Sequence, residues 1–179
     1  MSPLIRHPKK RGEWVELQFM ARAAAHGFTV SKPWGDTARY DFAVEHNGIF
    51  RRVQVKSTFQ QSPKGRNAYL ANTVSRAPQR KPNPAGKEYV SKAHGSSRTA
   101  SGGKNRAGSA AALNPDGSKS YTCADIDFFA FYIIPEDIWY IVPIGELSRA
   151  RYAVYLNPHE SGNKYFRYME AWHLLRKDT

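Results

Sequence analysis

The alternation of apolar and polar residues predicts a β-hairpin in the first third of the chain. Strand-like runs cover residues 40–46 and 49–58, and Asn47-Gly48 separates them. An Asn-Gly pair between two such runs is typical of a two-residue type I′ turn. The register that this turn sets puts Asp41 directly opposite Gln54.

The two faces of this predicted hairpin differ in character, because successive side chains of a strand point to opposite sides. One face is apolar and is expected to join the core: Phe42, Val44, Ile49, Val53 and Val55. The other face is mostly polar, with one large apolar member, Phe50; it carries Asp41, Ala43, Glu45, Arg52, Gln54 and Lys56.

Elements on either side of the hairpin predict a mixed α/β fold. A helix is expected over residues 12–26 and ends at Gly27; its spacing puts on one side Glu13, Glu16, Leu17, Met20 and Ala24. Further strands are expected at residues 28–30, 69–74, 128–134, 138–144 and 153–156, and a closing helix at 165–176. This order indicates an α/β (α+β) domain, with a central mixed sheet flanked by helices.

A long basic insertion interrupts the domain. Residues 76–120 are rich in Gly, Ser, Pro, Lys and Arg and lack apolar periodicity over much of their length. We therefore expect residues 1–75 and 121–179 to form a single domain, and the insertion to be flexible and without a core of its own.

Composition and charge narrow the class of protein. Hydrophobic residues make up 41% of the 179, enough to build a core, but no apolar run approaches the length of a membrane span. The single cysteine and the absence of a signal-like apolar segment favour a cytoplasmic setting. The net charge is +12, with +7 on residues 1–75, +7 on 76–120 and −2 on 121–179. Such a surplus favours nucleic acid over a membrane surface as the partner.

The polar hairpin face offers groups suited to phosphodiester hydrolysis. That reaction needs an activated water, a hard cation beside the phosphate and positive charge that stabilises the transition state. Asp41 and Glu16 offer carboxylate oxygens, Gln54 offers an amide oxygen, and Lys56 supplies a cation on the same face. By themselves, these residues could equally form the solvated face of an antiparallel strand pair.

Several motifs resemble the PD-(D/E)xK nuclease superfamily, and most closely its small intron-associated homing endonucleases, which are similar in turn to archaeal Holliday-junction resolvases. The resemblance is dense over residues 11–58, through the segments RGEWVE, GFTV, PWGD, YD and RVQVKST. It is fainter over residues 125–144. It implies a restriction-endonuclease-like core and a Mg²⁺ site, in which Mn²⁺ can substitute.

The resemblance also implies roles for individual residues. Glu16 matches the helix glutamate, Asp41 the motif aspartate, Gln54 the (D/E) position and Lys56 the motif lysine. Together with the carbonyl of Val55, the first three would bind the metal. Glu13 is the alternative helix carboxylate. Tyr40 and Gln54 depart from the usual Pro and acidic residue, and the second change weakens the attraction for a metal ion.

We therefore expect a metal-dependent endonuclease that cuts DNA. The alternatives are a DNA-binding protein that keeps the scaffold without cutting, and a Holliday-junction resolvase-like enzyme. The resemblance implies a homo-oligomer, either a dimer or a tetramer. Phosphate contacts are expected from basic residues at and near the start of the insertion: Lys64, Arg66, Arg76, Arg80 and Lys81.

Overall fold

The computed structural model of the protein describes residues 5–35, 37–62, 67–75, 118–147 and 152–176. Most of the insertion lies outside these ranges. So do the five cations expected to contact phosphate: Lys64, Arg66, Arg76, Arg80 and Lys81.

Helix α1 spans Pro8–Ala25 and begins four residues earlier than the pattern predicts. Pro8 occupies the first turn, where its fixed φ suits a helix and its missing N–H is not needed, and Nδ1 of His7 accepts from the Lys10 N–H at 3.4 Å. The helix buries Val15, Phe19 and Ala23. Leu17 is 62% exposed, so it lies on the solvent side of α1 and not on the side that packs against the core.

In the described residues, nine strands form three sheets. They are β1 (Thr29–Ser31), β2 (Phe42–His46), β3 (Ile49–Thr58), β4 (Tyr69–Asn72), β5 (Val74–Ser75), β6 (Lys119–Ser120), β7 (Phe128–Ile133), β8 (Ile138–Pro143) and β9 (Ala153–Leu156). The main sheet has the order β1-β2-β3-β7-β8, and β4-β9 and β5-β6 are two-stranded. The β3–β7 pair is parallel and the other pairs are antiparallel, which confirms a mixed central sheet.

The β2–β3 hairpin has the register that its turn predicts. His46 lies opposite Ile49 and Phe42 lies opposite Val53. Asn47 and Gly48 have φ of 52° and 80°, the left-handed conformation that both central residues of a type I′ turn require. The backbone N–H of Asp41 extends the ladder by donating to the Val53 carbonyl at 3.0 Å. Asp41 therefore lies opposite Gln54, as the sequence predicts.

Apolar layers cover both faces of the main sheet. On the α1 side, Phe19 stacks on Phe42 and also meets the rings of Trp139 and Trp172. The second layer packs Phe131, Ile133 and other residues of β7 and β8 against the β4–β9 pair. In the described ranges α1 is the one α-helix, and the β4–β9 pair covers the face of the main sheet opposite α1.

The closing segment is not the continuous helix that the apolar spacing at 165–176 predicts. It consists of two short 3-10 helices, Phe166–Tyr168 and Trp172–Arg176. Between them, Met169 pairs with Tyr140 on the edge of β8, and Glu170 has a left-handed φ of 49°. Pairing with the sheet edge replaces the helical hydrogen bonds, so tertiary contacts override local helix preference here.

The end of the insertion is part of the fold. Ser120 pairs with Val74 and Lys119 with Ser75, joining β6 to β5 on the other side of the insertion. The irregular stretch that the sequence predicts up to residue 120 therefore ends before Lys119.

Candidate active site

Asp41, Gln54 and Val55 form a hydrogen-bonded group at the start of β2 and the middle of β3. Oδ2 of Asp41 accepts from Nε2 of Gln54 at 2.5 Å and from the backbone N–H of Val55 at 2.8 Å. No described residue donates to Oδ1 of Asp41. One carboxylate oxygen is thus held in place, and the other remains available to a ligand.

Glu16 of α1 lies beside this group. Its charge raises the pKa of Asp41 and opposes the lowering of the pKa of Lys56, so it acts on both strand residues. Glu13 is exposed and is not among the main influences on the pKa of either of them. Position and electrostatics therefore favour Glu16 over Glu13 as the helix carboxylate of this cluster.

Burial is the largest influence on the pKa values of Asp41 and Lys56. Loss of water raises the pKa of the Asp41 carboxyl, and the Val55 N–H and the Lys56 charge only partly offset this. Loss of water likewise lowers the pKa of the Lys56 ammonium, against the attraction of Asp41 and Glu16. Both groups are therefore held in a setting that opposes their charged forms, a feature common in functional sites.

Lys32 is a second cation at the cluster, although the sequence pattern did not single it out. Its Nζ lies 2.6 Å from Oε2 of Glu16, and this hydrogen bond raises the pKa of Lys32. Lys32 directly follows β1, whose last residue, Ser31, pairs with Ala43 of β2. Strand pairing therefore brings Lys32 to the same end of the sheet as Asp41.

Tyr121 borders the cluster on the other side and was also not predicted. Nζ of Lys56 lies 5.5 Å from the centre of its ring, and Cζ of Arg39 lies 4.8 Å from it. Burial, together with the charge of Asp41, raises the pKa of Tyr121 to about 12. Tyr121 follows β6 directly, so the end of the insertion contacts the candidate catalytic lysine.

Comparison with known proteins finds a family to which the first half of the chain is similar. A family model described as PD-(D/E)XK endonuclease matches residues 6–92. The matched range contains Glu16, Asp41, Gln54 and Lys56.

The fold is similar to that of a bacterial homing endonuclease, I-Ssp6803I. The two structures align with a TM-score of 0.64 over 94% of this chain and 92% of the other, at 21% sequence identity. The expected likeness to homing endonucleases is thus confirmed for the fold. Comparison of the chain with curated proteins found no match.

The acidic residues near the start of β7 stabilise the fold through hydrogen bonds and ion pairs. Oδ2 of Asp125 accepts from the backbone N–H and the hydroxyl of Thr122, both at 2.9 Å, and from Arg39 at 2.8 Å. Asp127 pairs with Arg52 at 2.8 Å. Burial alone would raise the pKa of Asp127, but hydrogen bonds from the Arg52 side chain and backbone bring it below the usual range.

The donor set of the cluster suits a hard divalent cation. In the described part of the chain, no three His, Cys, Asp or Glu side chains group together as a metal site. Magnesium, however, is usually bound by only one or two carboxylates and retains several waters. Glu16 and Asp41 supply two carboxylates, and Oδ1 of Asp41 has no donor among the described residues. The residues therefore fit a magnesium-type ion.

Among the described residues, no helix is both long enough and apolar enough to cross a membrane.

Proposed function

We propose that the protein is a metal-dependent endonuclease that hydrolyses phosphodiester bonds in DNA. The observation that carries this proposal is the cluster at β2 and β3, in which Asp41 is held by Gln54 and Val55 beside Glu16 and the half-buried Lys56. The match of residues 6–92 to a PD-(D/E)XK endonuclease model supports nuclease activity. The net charge of +12 supports a polyanionic substrate.

In this proposal Glu16, Asp41, Gln54 and the carbonyl of Val55 hold Mg²⁺, for which Mn²⁺ can substitute. When bound, such an ion lowers the pKa of a coordinated water and neutralises charge on the phosphate. Gln54 would offer its amide oxygen to the ion, whereas in this structure its NH₂ donates to Asp41. The Val55 N–H continues to fix Asp41 from the other side.

Lys56 has the role of binding the reacting phosphate. Its position on β3 holds the ammonium near Asp41, and burial strengthens its attraction for a phosphate oxygen because water screens less there. Charge that grows on the phosphate in the transition state is stabilised by this ammonium more than the charge of the ground state. The ring of Tyr121 limits where the ammonium can move.

The deciding experiment is nicking of supercoiled plasmid by the purified protein with Mg²⁺ or Mn²⁺. We expect nicking that EDTA abolishes and that Asp41→Asn and Lys56→Met each reduce by about 10²- to 10³-fold, the size typical for losing one electrostatic group. Glu13→Gln is the matched control on α1 and should retain activity. Equal nicking by Lys56→Met and the native protein would contradict the assigned site.

A protein that binds DNA without cutting it is the second candidate, and Gln54 favours it. Replacing an acidic residue with a neutral amide removes one negative charge from the metal site. This candidate predicts salt-dependent DNA binding that neither EDTA nor Asp41→Asn changes, with no nicking under any metal. Preference for four-way junctions over linear duplex would instead identify a resolvase.

Assembly into a homo-oligomer is part of the proposal. The described part of each chain offers one such cluster, and cutting both strands of a duplex is simplest with two sites related by a two-fold axis. Sedimentation of the protein, free and bound to duplex, should give a dimer or a tetramer. A monomer in both states would contradict this part of the proposal and leave the chemistry intact.

A further inference from the structure

Lys32 and Glu16 form an ion pair beside the candidate active site. Nζ of Lys32 lies 2.6 Å from Oε2 of Glu16, and the two side chains are 57% and 26% exposed. Nζ of Lys32 also lies 5.7 Å from the centre of the Phe42 ring. An exposed lysine is therefore bonded to a carboxylate that faces the candidate active site.

The charges around Lys32 explain why a cation is held there. Asp41 and Glu13 add to the attraction that Glu16 exerts on Lys32. Glu16 and Asp41 also repel each other, since the charge of Glu16 disfavours ionisation of Asp41. A positive charge at Glu16 offsets this repulsion in the metal-free protein.

We propose that Lys32 is the resident counter-cation of the site, which binds Glu16 in the metal-free protein, releases it to a divalent ion and then contacts a backbone phosphate of DNA. The proposal rests on the metal site of the proposed function. Lys32 suits this exchange better than Lys56, because its side chain is mostly exposed and can turn to solvent or DNA without leaving a buried charge unpaired.

Calcium binding to the full-length protein tests the first step, measured by isothermal titration calorimetry without DNA. Lys32→Met removes a unit charge that competes for Glu16, so we expect Ca²⁺ to bind about tenfold more tightly. Lys32→Arg keeps the charge and should stay within about threefold of the native affinity, although its geometry differs. Lys10→Met is the charge-matched control; this exposed lysine lies two turns before Glu16 on α1, and its variant should bind Ca²⁺ like the native protein.

DNA binding in Ca²⁺ tests the second step. Lys32→Met should weaken binding to a duplex by about three- to tenfold and reduce the slope of log K against log salt by about 0.9, the value for a single phosphate neutralised by the protein. Lys32→Arg should leave the slope unchanged. Circular dichroism and thermal melting of each variant, with and without Ca²⁺, establish that it is folded.

The outcomes separate this inference from the proposed function. Unchanged or weaker Ca²⁺ affinity in Lys32→Met would overturn the counter-cation role, even if the native protein cuts plasmid. An unchanged salt slope would overturn the phosphate contact. The expected calcium and salt effects in a protein that never nicks DNA would support the inference and count against the endonuclease. No calcium binding by any form would overturn both.

Discussion

The side-chain amide of Gln54 donates to Oδ2 of Asp41 over 2.5 Å, across the central β2–β3 pair. Most members of the superfamily are expected to have an acidic residue at the position of Gln54. Two carboxylates at this distance would repel each other without a metal, whereas an amide donor stabilises the ionised Asp41. The metal-free protein is thereby stabilised, and the site loses one negative charge with which to attract an ion.

Gln54→Glu should reverse this balance. We expect the metal-free variant to lose about 1–3 kcal/mol of unfolding free energy, because a hydrogen bond is replaced by repulsion at a partly buried site. Mg²⁺ or Mn²⁺ should restore more stability to this variant than to the native protein, since binding to the folded state stabilises it. Thermal melting with and without metal measures both effects. Gln54→Ala removes the hydrogen bond without adding charge, and it should show no extra gain from metal.

Asp41→Asn should stabilise the metal-free protein while strongly reducing nicking. Ionising Asp41 is costly because burial raises its pKa, and asparagine can still accept the Val55 N–H. The substitution also removes the negative charge that stabilises the Lys56 ammonium. We therefore expect a net gain of only about 1 kcal/mol in unfolding free energy, in the range typical of stability–activity trade-offs. Urea unfolding measures the difference, with Glu13→Gln as the matched control. A less stable Asp41→Asn protein at neutral pH would contradict the assignment.

The pH dependence of that difference gives a separate test. The folded-state pKa of Asp41 is raised, so its contribution to stability is present below the ordinary value of 3.8 and is lost as pH rises through the folded-state pKa. The gain from Asp41→Asn should therefore be small in acid and largest near neutral pH. A gain of the same size in acid and near neutral pH would mean that ionisation of Asp41 does not destabilise the folded protein.

The closing segment depends on Glu170. Its carboxylate accepts from the Trp139 backbone N–H at 2.7 Å and from the Trp172 indole at 2.8 Å, and its own N–H donates to the Trp139 carbonyl at 2.8 Å. Glu170→Ala leaves two donors without their charged acceptor, at a cost of about 2–3 kcal/mol in unfolding free energy. Glu170→Gln should lose less, because its amide oxygen can still accept one of the two bonds. Chemical denaturation compares the three proteins, and equal stability would show that the Glu170 carboxylate does not stabilise the segment.

Local signals explain why the hairpin and its site were predictable. The Asn47-Gly48 turn sets the β2–β3 register through backbone geometry alone, and that register aligns Asp41 with Gln54. Period-2 alternation then assigns Val53 and Val55 to the core. Every step uses residues close together in the chain, where sequence patterns are informative.

Contacts between distant segments were not predictable. Lys32 reaches Glu16 only because β1 pairs with β2, and Tyr121 reaches Lys56 only because β5 and β6 join the two sides of the insertion. The prediction of a continuous helix for the closing segment fails for the same reason. Its apolar spacing suits a helix, but the edge of β8 offers Met169 and Glu170 backbone partners that no local pattern reveals.

The basic insertion should strengthen DNA binding without taking part in cleavage. Because the structure pairs Lys119 with Ser75, a deletion should spare β5 and β6. Removing residues 82–115 achieves this, and it removes five cations: Lys87, Lys92, Arg98, Lys104 and Arg106. If these cations bind phosphates, the dependence of log K on log salt should flatten by up to about 0.9 for each cation that binds a phosphate, in filter-binding or anisotropy titrations.

Nicking at low salt should survive this deletion, since Glu16, Asp41, Gln54 and Lys56 lie outside it. A full-length variant with the five cations changed to Gln is the control; it should reproduce the flatter slope, because charge and not length is responsible. An unchanged slope in both proteins would show that these cations do not contact DNA.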